Sequence, residues 1–202
     1  MSTIPQSGAW SQVAYGNGTF VAVMAGSNIA AYSKDFGLTW NKTTLPQTGN
    51  WDTVAFGNGY FVADGHTVNG ARSVDGINWS EVLIPGSNGA RVLTYGNGTF
   101  LDTSNGRTMA HYSDDNCLTW NLITLPKIAC HSIFGDGVFI AYKYNRKDYM
   151  ISTDNCRTWA ESQLPSSSTW QAGAYGSGKF VIGNGAGPGG CKIDCVNGNR
   201  GV

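Results

Sequence analysis

Apolar and polar positions alternate along this chain over short stretches and never settle into a helical period. Trp10, Val13 and Tyr15 are spaced as the large apolar residues of a half-buried strand. Asn17-Gly18 follows, a pair suited to a two-residue hairpin turn because both central residues take positive φ. Thr19 to Val23 is the return strand. A small-residue loop from Ala25 to Asn28 leads to a third strand, Ile29 to Ser33. Lys34 to Leu38 turns the chain, Thr39 to Leu45 is a fourth strand, and Pro46 ends it. No stretch of useful length has a 3.6-residue apolar period, so the pattern predicts an essentially all-β chain.

The same pattern is written five times. WSQVAYGNGTF (Trp10 to Phe20) returns as WDTVAFGNGYF from Trp51, ARVLTYGNGTF from Ala90, ACHSIFGDGVF from Ala129 and WQAGAYGSGKF from Trp170. The starts are 41, 39, 39 and 41 residues apart. Four strands in a unit of about forty residues is the content of a propeller blade. An isolated four-stranded sheet cannot bury both faces, whereas neighbouring blades cover them.

A second motif recurs in the third hairpin of four units. It joins Ser33, Asp35 and Trp40; Ser73, Asp75 and Trp79; Ser113, Asp115 and Trp120; and Ser152, Asp154 and Trp159. A short hydroxyl and a carboxylate can bond the amides of a tight turn, and the Trp then covers it. The motif resembles the Asp box, Ser-x-Asp-x-Gly-x-Thr-Trp, of the sialidase-like (BNR) β-propellers. The resemblance covers about four-fifths of the chain and implies a structural role for these residues. Cys117 and Cys156 replace the Gly of the pattern, which predicts a slightly different backbone there.

The expected architecture is a single five-bladed propeller domain over residues 1–202. Its units are 10–50, 51–89, 90–128, 129–169, and 170–202 with 2–5. Residues 2–10 parallel residues 43–51, so residues 2–5 read as the outer strand of the last blade, closing the ring. The alternative is an incomplete ring finished by another chain.

Composition narrows the function. Charged residues are 13%, against about 25% in typical soluble proteins. Net charge is zero, with no basic stripe for nucleic acid. No apolar run is long enough to span a membrane, and residues 1–6 do not read as a signal peptide. Five cysteines do not suggest a disulfide framework, and Cys191 and Cys195 lack a second ligand pair for a metal. Low charge, short polar side chains and reduced-looking cysteines fit a protein made in a host cytoplasm and used outside it. The repeats also resemble those of bacteriophage tail and virion propellers. That resemblance implies a virion location, with other virion proteins as partners.

Catalysis is not expected, and no cofactor or metal is. A sialidase-like enzyme would need an arginine triad, a Tyr-Glu nucleophile pair and an acid-base Asp. Here most arginines fall at unmatched blade positions. Glu81 and Glu161, the only glutamates, fall on outer strands. Retaining glycosidases need two carboxylates about 5 Å apart. His66, His111 and His131 occupy different points of different blades.

Function is therefore sought where the repeat breaks. The loops between second and third strands differ strongly, and variable loops on a rigid scaffold are where binding sits. With the Trp residues that begin inner strands, they give a candidate ligand set: Trp10, Trp51, Trp170, His66, Asn105, Arg107, Tyr144 and Arg146. Aromatic faces stack on sugars while amides and guanidinium groups give directional hydrogen bonds. The same Trp side chains could instead wedge between blades, and the Tyr142 to Asp148 loop could instead be a protein contact. The leading expectation is a non-enzymatic virion module, tail- or fibre-associated, that binds host-surface glycan. A capsid or tail decoration protein and a free multivalent lectin are the alternatives.

Overall fold

The computed structural model of the chain describes residues 4–66, 69–85, 91–104, 106–184 and 193–196. Among them are nineteen strands in five antiparallel sheets, and no helix. The first sheet is β1 (Ala9–Gly16), β2 (Thr19–Ala25), β3 (Ser27–Ser33) and β4 (Asn41–Gly49). The second is β5 (Trp51–Gly57), β6 (Tyr60–Gly65), β7 (Gly70–Ser73) and β8 (Ser80–Val82). The third is β9 (Arg91–Gly96), β10 (Thr99–Ser104), β11 (Arg107–Ser113) and β12 (Asn121–Ala129). The fourth is β13 (His131–Gly135), β14 (Val138–Tyr142), β15 (Arg146–Ser152) and β16 (Ala160–Ser168). The fifth has three described strands, β17 (Trp170–Gly176), β18 (Lys179–Asn184) and β19 (Ile193–Val196).

The first hairpin of every sheet turns as its sequence dictates. Asn17, Asn58, Asn97, Asp136 and Ser177 have φ between 46° and 50°, each followed by a left-handed Gly. The third hairpin is held by its Ser and Asp. Ser33 Oγ donates to Asp35 Oδ1 (2.7 Å) and accepts from the Gly37 amide (2.9 Å). Asp35 in turn accepts from the Thr39 amide and from Thr39 Oγ1 (2.5 Å). Ser113–Asp115 and Ser152–Asp154 repeat this network. Ser73–Asp75 makes it one residue shorter, with Asp75 accepting from the Ile77 and Asn78 amides at 2.8 Å. Trp79 and Trp159 donate their indole N–H back to the turn, to Gly76 O and Cys156 O.

The expectation of a different backbone at the two cysteines is not met. Cys117 (φ 63°) and Cys156 (φ 69°) adopt the left-handed conformation of Gly37 and Gly76. Their buried side chains explain why a Cβ is tolerated there. Cys117 packs with Val62 and Phe100, and Cys156 with Leu101 and Phe139. That burial offsets the conformational cost.

Successive sheets meet through one repeated joint. A Cβ built on Gly16 would fall 2.0 Å from the Phe56 ring. Gly57 stands in the same relation to Tyr95, Gly96 to Phe134, and Gly135 to Tyr175. Each inner strand thus offers a bare glycine on which the next sheet's aromatic ring lies. Hydrogen bonds cross the same seams. Ser11 Oγ donates to Trp51 O (2.6 Å), Leu93 N–H to Thr53 Oγ1 (3.1 Å) and Thr94 Oγ1 to Ser132 O (3.0 Å). Buried side chains of adjacent sheets form common clusters, such as Val21 and Val23 with Trp51, Val54 and Phe61.

The series stops at both ends. Gly176 is exposed, with no described residue within 4 Å of a Cβ built on it. On the first sheet Val13 is 53% exposed, whereas its counterparts Val54 and Leu93 are 2% and 4% exposed; Tyr15 is 49% exposed, where its counterparts Phe56 and Tyr95 are half-buried. No joint between the first and fifth sheets is found among the described residues, so the expected closed ring is not observed. Of the expected closing strand, residues 2–5, only Ile4 and Pro5 are described. Ile4 and Pro5 are exposed and not in a strand, and residues 2 and 3 lie outside the described residues. The segment after them is tied to its own sheet, through Trp10 Nε1 to Gln6 O (3.0 Å) and Lys42 Nζ to Gln6 Oε1 (3.3 Å).

Candidate functional site

The antiparallel order puts the first hairpins and the Ser-Asp turns at one end of the sheets. The variable loops lie at the other. At this second end a register shift between Trp10 and Gln12, Trp51 and Thr53, and Trp170 and Ala172 re-aims each Trp. Trp51 and Trp170 are wholly buried, which corrects the expectation that they present a face to a ligand. They wedge between sheets, and Trp51 Nε1 donates to Gln47 O (3.2 Å). Trp10 is half-buried, because no preceding sheet covers it.

His66 is held on both sides of its ring. Nδ1 lies 2.7 Å from Asp52 Oδ2, and Nε2 lies 3.2 Å from Asn50 Nδ2. The His66 amide also donates to Asp52 Oδ2 (3.1 Å). An Nδ1–H donated to the carboxylate leaves Nε2 to accept from the Asn50 amide. Arg107 is exposed at the start of β11, and Asn105 lies outside the described residues.

The remaining pair, Tyr144 and Arg146, shares a hollow of about 490 Å3 lined by Lys143 to Asp148. A left-handed Asn145 (φ 60°) turns the chain sharply between β14 and β15. Lys143 Nζ sits 5.5 Å from the centre of the half-exposed Tyr144 ring, a cation–π contact. Arg146 is exposed, and Asp148 accepts from Gln163 Nε2 (3.4 Å). Beside the loop, Tyr142 is buried and stacks on His131, with ring centres 5.3 Å apart. Burial raises the Tyr142 phenol and lowers the His131 imidazole, so both stay neutral near pH 7. The hollow thus combines an aromatic face, three cations, an amide and a carboxylate on one short turn. It can hold a hydroxyl-rich or anionic ligand.

The structure brings Tyr144 and Arg146 together and leaves the others apart. Trp10, His66, Arg107 and Tyr144 belong to four different sheets, and no hydrogen bond or ion pair joins them among the described residues. Nor is any group of three or more His, Cys, Asp or Glu placed to hold a metal among those residues. Among the described residues no helix is long and apolar enough to cross a membrane.

One polar pair went unnoticed in the sequence. Asp102 and His111 are buried cross-strand partners, with Nδ1 3.8 Å from Oδ2. The same positions hold Ala22 and Ala31, Ala63 and Ala71, and Ala141 and Met150. Comparing units column by column would have exposed it.

No family model and no curated protein matches the chain. Solved structures do. A virginiamycin B lyase from Staphylococcus aureus superposes with a TM-score of 0.74 at 14% identity, over 98% of this chain and 72% of that one. YCF48 from Cyanidioschyzon merolae gives 0.71 at 13%, over 98% and 70%. The fold is that of β-propellers. A glycoside hydrolase, GH74 of Niastella koreensis, gives 0.69 at 18% identity, over 94% of this chain and 30% of that one. A YCF48 structure bound to D1 peptide is spanned over 66% of its length, so the chain is shorter than each of these propellers. At such identities the likeness shows the fold alone; the sheets described above are its blades.

Proposed function

We propose that this chain is a non-enzymatic component of a bacteriophage virion, a propeller module that contacts host-surface glycan. In this reading the Ser-Asp turns are Asp boxes of the sialidase-like kind, and they act structurally. The observation that carries the binding role is the Lys143 to Asp148 hollow, where a half-exposed ring stands beside cations and an amide. Aromatic faces stack on the C–H face of sugars, and the polar groups around them fix orientation. Both glutamates support the non-enzymatic role. Glu81 follows the second Trp and accepts from Asn69, and Glu161 pairs with Lys127 (3.5 Å).

The test is a glycan-array screen of the purified chain beside its Tyr144→Ala and Arg146→Ala variants. Specific binding that drops at least about tenfold in both folded variants supports the proposal. Binding that both variants retain removes the hollow from the site. No binding by the folded chain shifts the assignment to a purely structural virion part, such as a decoration protein. The exposed Tyr15 face favours that second reading.

A further inference from the structure

Three of the first hairpins turn on an Asn-Gly pair: Asn17-Gly18, Asn58-Gly59 and Asn97-Gly98. Their backbones match, with each Asn at φ 46° or 47° and each Gly left-handed. Their side chains do not. Asn58 Nδ2 donates to Asn116 Oδ1 (2.5 Å), and Asn97 Nδ2 donates to Asn155 Oδ1 (2.8 Å). Each bond reaches from a hairpin to the Ser-Asp turn of the next sheet. The matching partner of Asn17 would stand in the Ser-Asp turn of the second sheet. That turn is one residue shorter, and Asp75 is followed directly by Gly76. It offers no asparagine, and the exposed Asn17 makes no side-chain hydrogen bond among the described residues.

An asparagine followed by glycine is open to deamidation, because glycine puts no side chain over the attacking amide. The Gly18 nitrogen attacks Asn17 Cγ. The N–Cγ bond forms, the Cγ–Nδ2 bond breaks, and ammonia leaves with the proton of the Gly18 amide. Water then opens the cyclic imide at either carbonyl. One opening gives an aspartyl peptide, the other an isoaspartyl peptide whose backbone is longer by a carbon. A side chain held by a hydrogen bond must give up that bond before Cγ can reach the amide.

We propose that Asn17 is a deamidation site in the first hairpin, and that Asn58 and Asn97 are shielded from the same reaction by the bond each makes to the following sheet. The chain itself indicates what the two products do. The fourth sheet carries Asp136-Gly137 in this turn, with Asp136 at φ 47°. The aspartyl product therefore keeps the hairpin. The isoaspartyl product lengthens a two-residue turn whose flanking residues, Gly16 and Thr19, are paired, and it breaks the register there. Gly16 lies under the Phe56 ring, so the disturbance reaches the first joint.

The experiment ages the intact chain in mildly alkaline buffer, then unfolds and digests it. Mass spectrometry and enzymatic methylation of isoaspartyl groups follow the three hairpin peptides. Asn17 should convert at least about threefold faster than Asn58 or Asn97, the effect of one side-chain hydrogen bond. Asn116→Gly removes the acceptor for Asn58 and suits the left-handed φ of 62° at that position. It should speed Asn58 by at least about threefold and leave Asn97 unchanged. Equal rates in the three hairpins, no conversion at Asn17, or an Asn58 rate unmoved by Asn116→Gly overturns the proposal. Asn17→Ser copies the Ser177 turn of the fifth sheet. On ageing, that variant should lose less melting temperature than the native chain; an equal loss overturns the register effect.

Discussion

Each Ser-Asp turn concentrates its stabilisation on one carboxylate. Hydrogen bonds from Thr39 and Ser33 hold the Asp35 carboxyl down at about 2. At Asp75, Asp115 and Asp154 partial burial pulls upward, but hydrogen bonds from the turn amides and side chains outweigh it and leave all three low. A carboxyl whose folded value lies below its unfolded value of about 3.9 stabilises the fold above that value. The stabilisation is lost as pH falls through the folded value. Melting temperature should therefore be insensitive to these groups above about pH 4 and fall steeply towards about pH 2. Asp154→Asn should melt lower at neutral pH and fall less on acidification; an unchanged acid slope contradicts this role. The thiols make a second residue-scale prediction. Burial raises Cys117 and Cys156 well above the ordinary thiol range, so neither should be alkylated in the native protein at pH 8. Mass spectrometry of the labelled protein before and after unfolding checks this.

At the scale of the element, the Trp that follows each Ser-Asp turn ties the third hairpin to the outer strand. Trp159 is half-buried, packs with the core around Cys156 and closes a hydrogen bond to the turn. Trp159→Ala should cost about 2–3 kcal/mol, below the 3–5 of a fully buried Trp. Denaturant unfolding measures it, and a loss within error of zero would remove the Trp from the turn's support. The strands and hairpins were legible because each depends on a few adjacent residues. Alternation gave the strands, Asn-Gly gave the turns, and Ser-x-Asp gave the third hairpin. The buried state of Trp51 and Trp170 was legible only as one of two readings, because it depends on the neighbouring blade. The wedge reading competed with the ligand reading on the same residues, and packing decided for the wedge. Backbone conformation at Cys117 and Cys156 was misread because local preference favours Gly, while burial against the preceding blade rewards a side chain. The Tyr144–Arg146 hollow was partly legible, since both residues lie on one turn. His66, Arg107 and Trp10 were scattered over blades that sequence alone could not orient.

Among the described residues the blades share four filled joints, and the faces at Tyr15 and Gly176 have none. The repeat hid this, because Tyr15 and Gly176 read like every other aromatic and glycine of the series; only their missing neighbours set them apart. The most direct test compares two glycines of the same column by thermal unfolding. Gly57→Ala puts a methyl 2.1 Å from the Tyr95 ring and should cost about 1–3 kcal/mol, as overpacking does. Gly176→Ala meets nothing and should change stability by less than about 0.5 kcal/mol. A large loss at Gly57 beside none at Gly176 is the result that an open blade series requires. Equal losses at both would mean that Tyr15 already sits on Gly176 and that the ring closes on five blades.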